Sequence, residues 1–282
     1  MRRARQSTRG TRRSMPKPTL LYAWAVPVPA LPFLDHTWVT SYDNRLTPYP
    51  DDQQVAAAGA LYWYCWGDFH RWGGTPNHPT GFLGQQSGDL ALAQCLVQAN
   101  ADSRTMPAAR GTIFTYGVDG VCHQLANQVL YSTGVGNAAP LTVRNARGYI
   151  ASLFIYGAYG HQHAAWWHQI ARCGGQPITQ PERPPMEATA KGADEFEAHA
   201  REVLKKDDPK LLSDLLALRV EVHRFAAQRW PGTAPDAEVL NIRNRHLLDQ
   251  AAKLLGPQRF EAVFGFPPDQ KIDLVDPSIK QH

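Results

Sequence analysis

The chain has 282 residues, 43% of them hydrophobic and 10% aromatic, which excludes a disordered protein and is enough to bury one large core or two ordinary ones. Its net charge of +4 sits at one end: residues 1–18 hold seven of the 29 Lys and Arg and no acid, leaving 22 basic against 25 acidic residues. That mildly acidic body, with no nucleic-acid module in it, argues against a nucleic-acid partner, and no run approaches the length of a membrane span.

In chain order, residues 1–18 read as a disordered basic tail. "LLYAWAV" and "HTWVTSY" follow as apolar, β-branched strands separated by a Pro-rich corner. Chain turning helical near "QQVAAAGA" precedes a second aromatic strand, "ALYWYCWGDF". "WGGTPNHPTGFLGQQSG" reads as a loop of turn residues. "DLALAQCLVQANADS" has helical spacing, "GTIFTYG" reads as a strand, and a helix runs from about Val121 to Tyr131 and stops at Gly134. "YIASLFIYGAYG" reads as a further strand or buried segment, and "HQHAAWWHQIARC" as helical. Residues 176–191, rich in Pro and polar groups and flanked by Gly174, Gly175 and Gly192, have the composition of a linker. Residues 192–282 form a helical region with apolar stripes at i, i+3, i+4, i+7, its helices starting at Asp208-Pro209 and Pro235-Asp236. These helices offer a surface for a protein partner.

Cys122 is the residue with a chemical address. It opens the helix that starts after "GVDGV", where main-chain N–H groups and the helix dipole stabilise a thiolate. Gly117 and Gly120 permit a tight turn into that helix. A small buried cysteine beginning a helix is the plain alternative. Cys65, Cys95 and Cys173 lie far from it and from each other with no CxxC, so neither a disulfide framework nor a zinc knuckle is expected. A reducing, cytoplasmic setting is the default. Export through "TLLYAWAVPVPALPFL" is the alternative, against which Pro27, Pro29 and Pro32 interrupt the apolar run.

The stretch "VCHQLANQVLYSTGVGNAAPLTVRNARGY" resembles the nucleophile helix of NlpC-like cell-wall peptidases, papain-like enzymes whose cysteine starts a helix that ends in Gly and leads to a "P…AR" segment. In that family the histidine follows the cysteine, and here "LTVRNARGYIASLFIYG" holds none. The permuted branch, with the lecithin:retinol acyltransferase relatives, places the histidine strand first, and "LDHTWVTSYD" is similar to it. The resemblance implies an α+β fold with a papain-like core over residues 19–175, Cys122 as nucleophile and His36 as general base. It also implies an orienting group from the next strand, for which Asp68 and His70 are candidates. Tyr116 and His123 are the candidate oxyanion or substrate contacts.

The expected activity is hydrolysis of a peptide or peptidoglycan amide through an acyl-thioester. Acyl transfer by the same pair, or a non-catalytic binding module of the same fold, are the alternatives. His161, His163, His168 and Cys173 resemble metal ligands on paper, but successive i+5 spacings do not share a helix face, so no metal or cofactor is expected.

Overall fold

The computed structural model describes residues 19–28, 31, 33–40, 43, 62–63, 81–88, 116–134, 140–160, 195–226 and 236–277. The fold is α+β. Four strands, β1 (Thr19–Pro27), β2 (Asp35–Thr40), β3 (Tyr62–Trp63) and β4 (Gly81–Gly88), form an antiparallel sheet in the order β3-β2-β1-β4. The β1–β2 ladder is regular, with Trp24 opposite Trp38 and Val26 opposite His36. Strand alternation therefore divides the sheet. Tyr22, Trp24, Val26, His36, Trp38 and Thr40 share one face, where the Trp24 indole donates to the Thr40 hydroxyl at 2.7 Å. Leu21, Ala23, Ala25, Asp35, Thr37 and Val39 share the other.

Gly81–Gly88 is a strand, where turn residues had suggested a loop. Its glycines are placed by packing: a Cβ on Gly88 would lie 2.2 Å from the Leu21 side chain, and one on Gly84 would lie 2.9 Å from Leu141. At Gly84, whose φ is +152°, the register with β1 shifts so that Leu83 is an extra residue.

Among the described residues, two helices follow the sheet before the helical region. The first, α1 (Cys122–Thr133), matches the expected span and ends at Gly134. The second, α2 (Tyr149–Tyr156), resolves "YIASLFIY", read as a strand or a buried segment, as a buried helix: its side chains are buried almost all round, so no periodicity distinguishes a helix from a buried strand. On the β4 side, α1 is tied to the Leu21 face. Gln86, the partner of Leu21, donates to the Leu130 carbonyl at 2.6 Å, and its side-chain oxygen accepts from Leu141 N at 2.9 Å.

The helical region contains α3 (Glu195–Val203), α4 (Pro209–Ala226), α5 (Ala237–Leu255) and α6 (Pro257–Phe264). Both expected starts hold, and the Asp208 carboxylate caps Lys210 N at 2.9 Å. These helices pack on α2 and share its core: Phe154 meets Phe196 and Phe264 at ring separations of 5.1 and 5.4 Å. The buried Arg219 guanidinium lies over Phe196 and donates to the Leu153 and Phe154 carbonyls, at the negative end of α2. Among the described residues, no helix is long and apolar enough to cross a membrane.

Candidate active site

The turn 116–121 leads into α1 and is held from the far end of the chain. Gly117 N donates to the Gly120 carbonyl at 2.7 Å, and the Tyr156 hydroxyl donates to the Gly117 carbonyl at 2.8 Å. Gly117 has φ +78°, and a Cβ there would lie within 3 Å of both Leu240 and Val275. Only glycine meets both demands. Asp276 N donates to the Tyr116 hydroxyl at 3.0 Å. Tyr116, read from the sequence as an oxyanion or substrate contact, is buried and its hydroxyl braces the C-terminal segment.

Val121, in extended conformation, occupies the N-cap of α1 and has no side-chain acceptor to offer. Its own N–H donates to the Gln124 side-chain oxygen at 3.0 Å. The next N–H groups belong to the first helical turn, which lacks i−4 carbonyls. Cys122 thus stands where donors point outward along the helix axis, although its residue surface is only 6% exposed. Its sulfur lies 3.9 Å from the main-chain carbonyl oxygen of Asp35.

His36, the residue after Asp35, is 2% exposed and stacks on Trp38 at 5.9 Å. The structure thus brings the helix start onto the histidine strand. Alternation turns the His36 ring toward Val26, Trp24 and Trp38, away from the Leu21 face on which α1 lies. Asp68, His70 and the His161–Cys173 set lie outside the described residues.

His123 is fully buried, and both ring nitrogens are engaged. Nε2 lies 3.0 Å from the Asp35 carbonyl and carries the hydrogen, since a carbonyl only accepts; Nδ1 lies 2.8 Å from the Ser152 hydroxyl. His123, read from the sequence as an oxyanion or substrate contact, joins α1 to β2 and α2. Three amides on the same helix work alike. Gln124, Asn127 and Gln128 donate to the carbonyls of Gly157, Ala158 and Tyr159 at 3.0, 2.8 and 2.5 Å, closing the reversal after α2. Asn127 also donates to the Tyr149 hydroxyl and accepts from Val143 N. Tyr149 in turn donates to Glu195 at 2.9 Å. Burial, then the adjacent Glu195 carboxylate, push the Tyr149 phenol well above its ordinary value.

Two residues near the thiol were not anticipated. The Asp35 carboxylate accepts from Arg147 N at 2.9 Å and Arg147 Nε at 2.8 Å, while Asp35 N donates to the Arg147 carbonyl at 3.1 Å. An acid directly before His36 was the available signal. Its partner, 112 residues away, left none.

A cavity of about 360 Å³ between α5, α6 and the segment after α6 is lined by Ile242, His246, Phe266 and Lys271 among others, and holds none of the anticipated site residues. In comparisons with protein-family models, curated proteins and solved structures, nothing matches this chain.

Proposed function

We propose that the chain is a cysteine hydrolase with a papain-like core in permuted order, cleaving an amide of a peptide or of peptidoglycan. The observation that supports it best is the seating of a helix-opening thiol on the strand that carries a histidine. The Cys122 sulfur lies 3.9 Å from the carbonyl of the residue before His36. In this reading Cys122 forms an acyl-thioester that water then cleaves, and His36 takes the thiol proton and returns it to the leaving amine once its ring turns from the Trp24 and Trp38 face to that of α1. N–H groups of the uncapped first turn hold the oxyanion. Acyl transfer to an amine or lipid uses the same residues. The permuted NlpC-like resemblance supplies the assignment of base and nucleophile.

Iodoacetamide at neutral pH, followed by peptide mapping, tests the reading. The expected result is an adduct favouring Cys122 over Cys65, Cys95 and Cys173, and lost in His36→Ala. Equal labelling of all four cysteines, or indifference to His36→Ala, removes it.

A second reading, a binding module of the same fold without catalysis, draws on a different observation. Both Cys122 and His36 are buried, and β2 directs the imidazole to the sheet face opposite Leu21. Val239 and Ile242, more than half exposed on α5, would suit such a module's partner surface.

A further inference from the structure

We propose that Asp35 is a positioning residue for the Cys122 thiol and that Arg147 holds it in place; this rests on the reading that Cys122 reacts. Asp35 is 8% exposed and joins three separate parts of the chain. Its carbonyl accepts from His123 Nε2 and faces the Cys122 sulfur, so the first two residues of α1 share one acceptor. Its N–H and both carboxylate oxygens engage Arg147, which lies just before α2.

The strand needs this support for a local reason. Asp35 is the last residue of the β1–β2 ladder, and its partner there is Pro27. Bonding to β1 continues past this pair, with Val28 N donating to the Leu34 carbonyl at 3.1 Å, while the Asp35 N–H and carbonyl turn to the other edge of β2, which among the described residues β3 pairs only at Val39 and Thr40. Arg147 occupies that edge: a main-chain N–H and a guanidinium N–H fix the carboxylate at two points, and the Arg147 carbonyl receives the Asp35 N–H. The strand end, the 146–148 turn and the first turn of α1 then move as one unit. Asp35 also precedes His36 directly, so the same bonds set where that imidazole starts. Asp35 acts through the thiol and the imidazole and has no role of its own in bond making.

The test uses the full chain and compares Asp35→Asn, Arg147→Gln and Arg147→Lys with the parent. The pH profile of Cys122 alkylation by iodoacetamide is read by peptide mapping, and thermal unfolding is read in parallel. Asp35→Asn and Arg147→Gln are expected to slow alkylation at neutral pH about tenfold, the scale set by displacing a reacting group by a fraction of an ångström. Their profile midpoints are expected to differ from the parent's, because the sulfur loses its fixed place against the Asp35 carbonyl. Arg147→Lys keeps the charge without the fork and is expected to fall between.

Unchanged profiles in folded variants overturn the inference. Where Asp35→Asn fails to fold, Arg147→Lys decides: a shifted midpoint upholds the role and an unshifted one overturns it. A parent profile like that of an ordinary thiol sinks the hydrolase reading itself, and this inference with it, before any variant is compared.

Discussion

Asn127 shows how much of this protein's stability rests on buried amides. Its side chain satisfies the Val143 N–H, the Ala158 carbonyl and the Tyr149 hydroxyl, all away from water. Each buried group left without a partner costs about 1–3 kcal/mol. We therefore expect Asn127→Ala to lower stability by about 3 kcal/mol or more in a denaturant titration, with Arg201→Ala, which loses an exposed pair to Glu197, within about 0.5 kcal/mol of the parent. Tyr149 gives a pH signature. Its phenol lies above its unfolded value of 10.0 in the folded chain, chiefly through burial and then through Glu195. The neutral phenol's contribution is thus whole below pH 10 and is lost as the pH climbs from there toward the folded value. Denaturant titrations across that alkaline range are expected to show falling stability in the parent and a shallower fall in Tyr149→Phe. These roles were not legible in "CHQLANQ", because a polar helix face reads as solvated. Only the reversal at 157–159, folded back along α1, shows what the amides bond.

At the scale of elements, the start of α1 forgoes a side-chain cap. A β-branched apolar residue is among the poorest N-caps, and Val121 occupies that position. Threonine has nearly the same shape and adds an oxygen that can accept from the N–H groups at N2 or N3. Val121→Thr is expected to gain up to about 1 kcal/mol in unfolding free energy and to slow Cys122 alkylation, since the hydroxyl takes the donors that favour a thiolate. Faster alkylation would show that those donors do not act on the sulfur. The helices themselves were plain in the sequence wherever a polar face met water: α3, α4 and α5 follow their stripes, and α1 follows its turn and terminal glycine. Recognition failed where the usual cue was inverted. Burial on all sides removed the periodicity of α2. In β4, glycines chosen to admit Leu21 and Leu141 imitated a loop.

For the molecule as a whole, a Pro-rich stretch between two compositions suggested a catalytic part and an appended helical part. The stretch 176–191 lies outside the described residues, but the parts on either side of it share a core. Phe154 of α2 stands among Phe196 and Phe264, and Arg219 caps the same helix. Unfolding is therefore expected to be a single event. Trp fluorescence, to which the seven of eight Trp that precede the linker contribute, including the buried Trp24 and Trp38, and far-ultraviolet dichroism, dominated by the helices, should give one common midpoint. Two separated midpoints would show that the regions are independent. Composition revealed where the helices begin but not which surface they cover, because the long-range pairs that decide it carry no local mark.

The bond between Tyr116 and Asp276 spans 160 residues, and Val275 lies against Gly117 in the same place. A ribosome must therefore release the residues through Asp276 before the turn ahead of Cys122 can close. Such distant closure is slow and comes late in folding. The Cys122 thiol would take its final surroundings only once Val275 and Asp276 have been made and have docked on the turn.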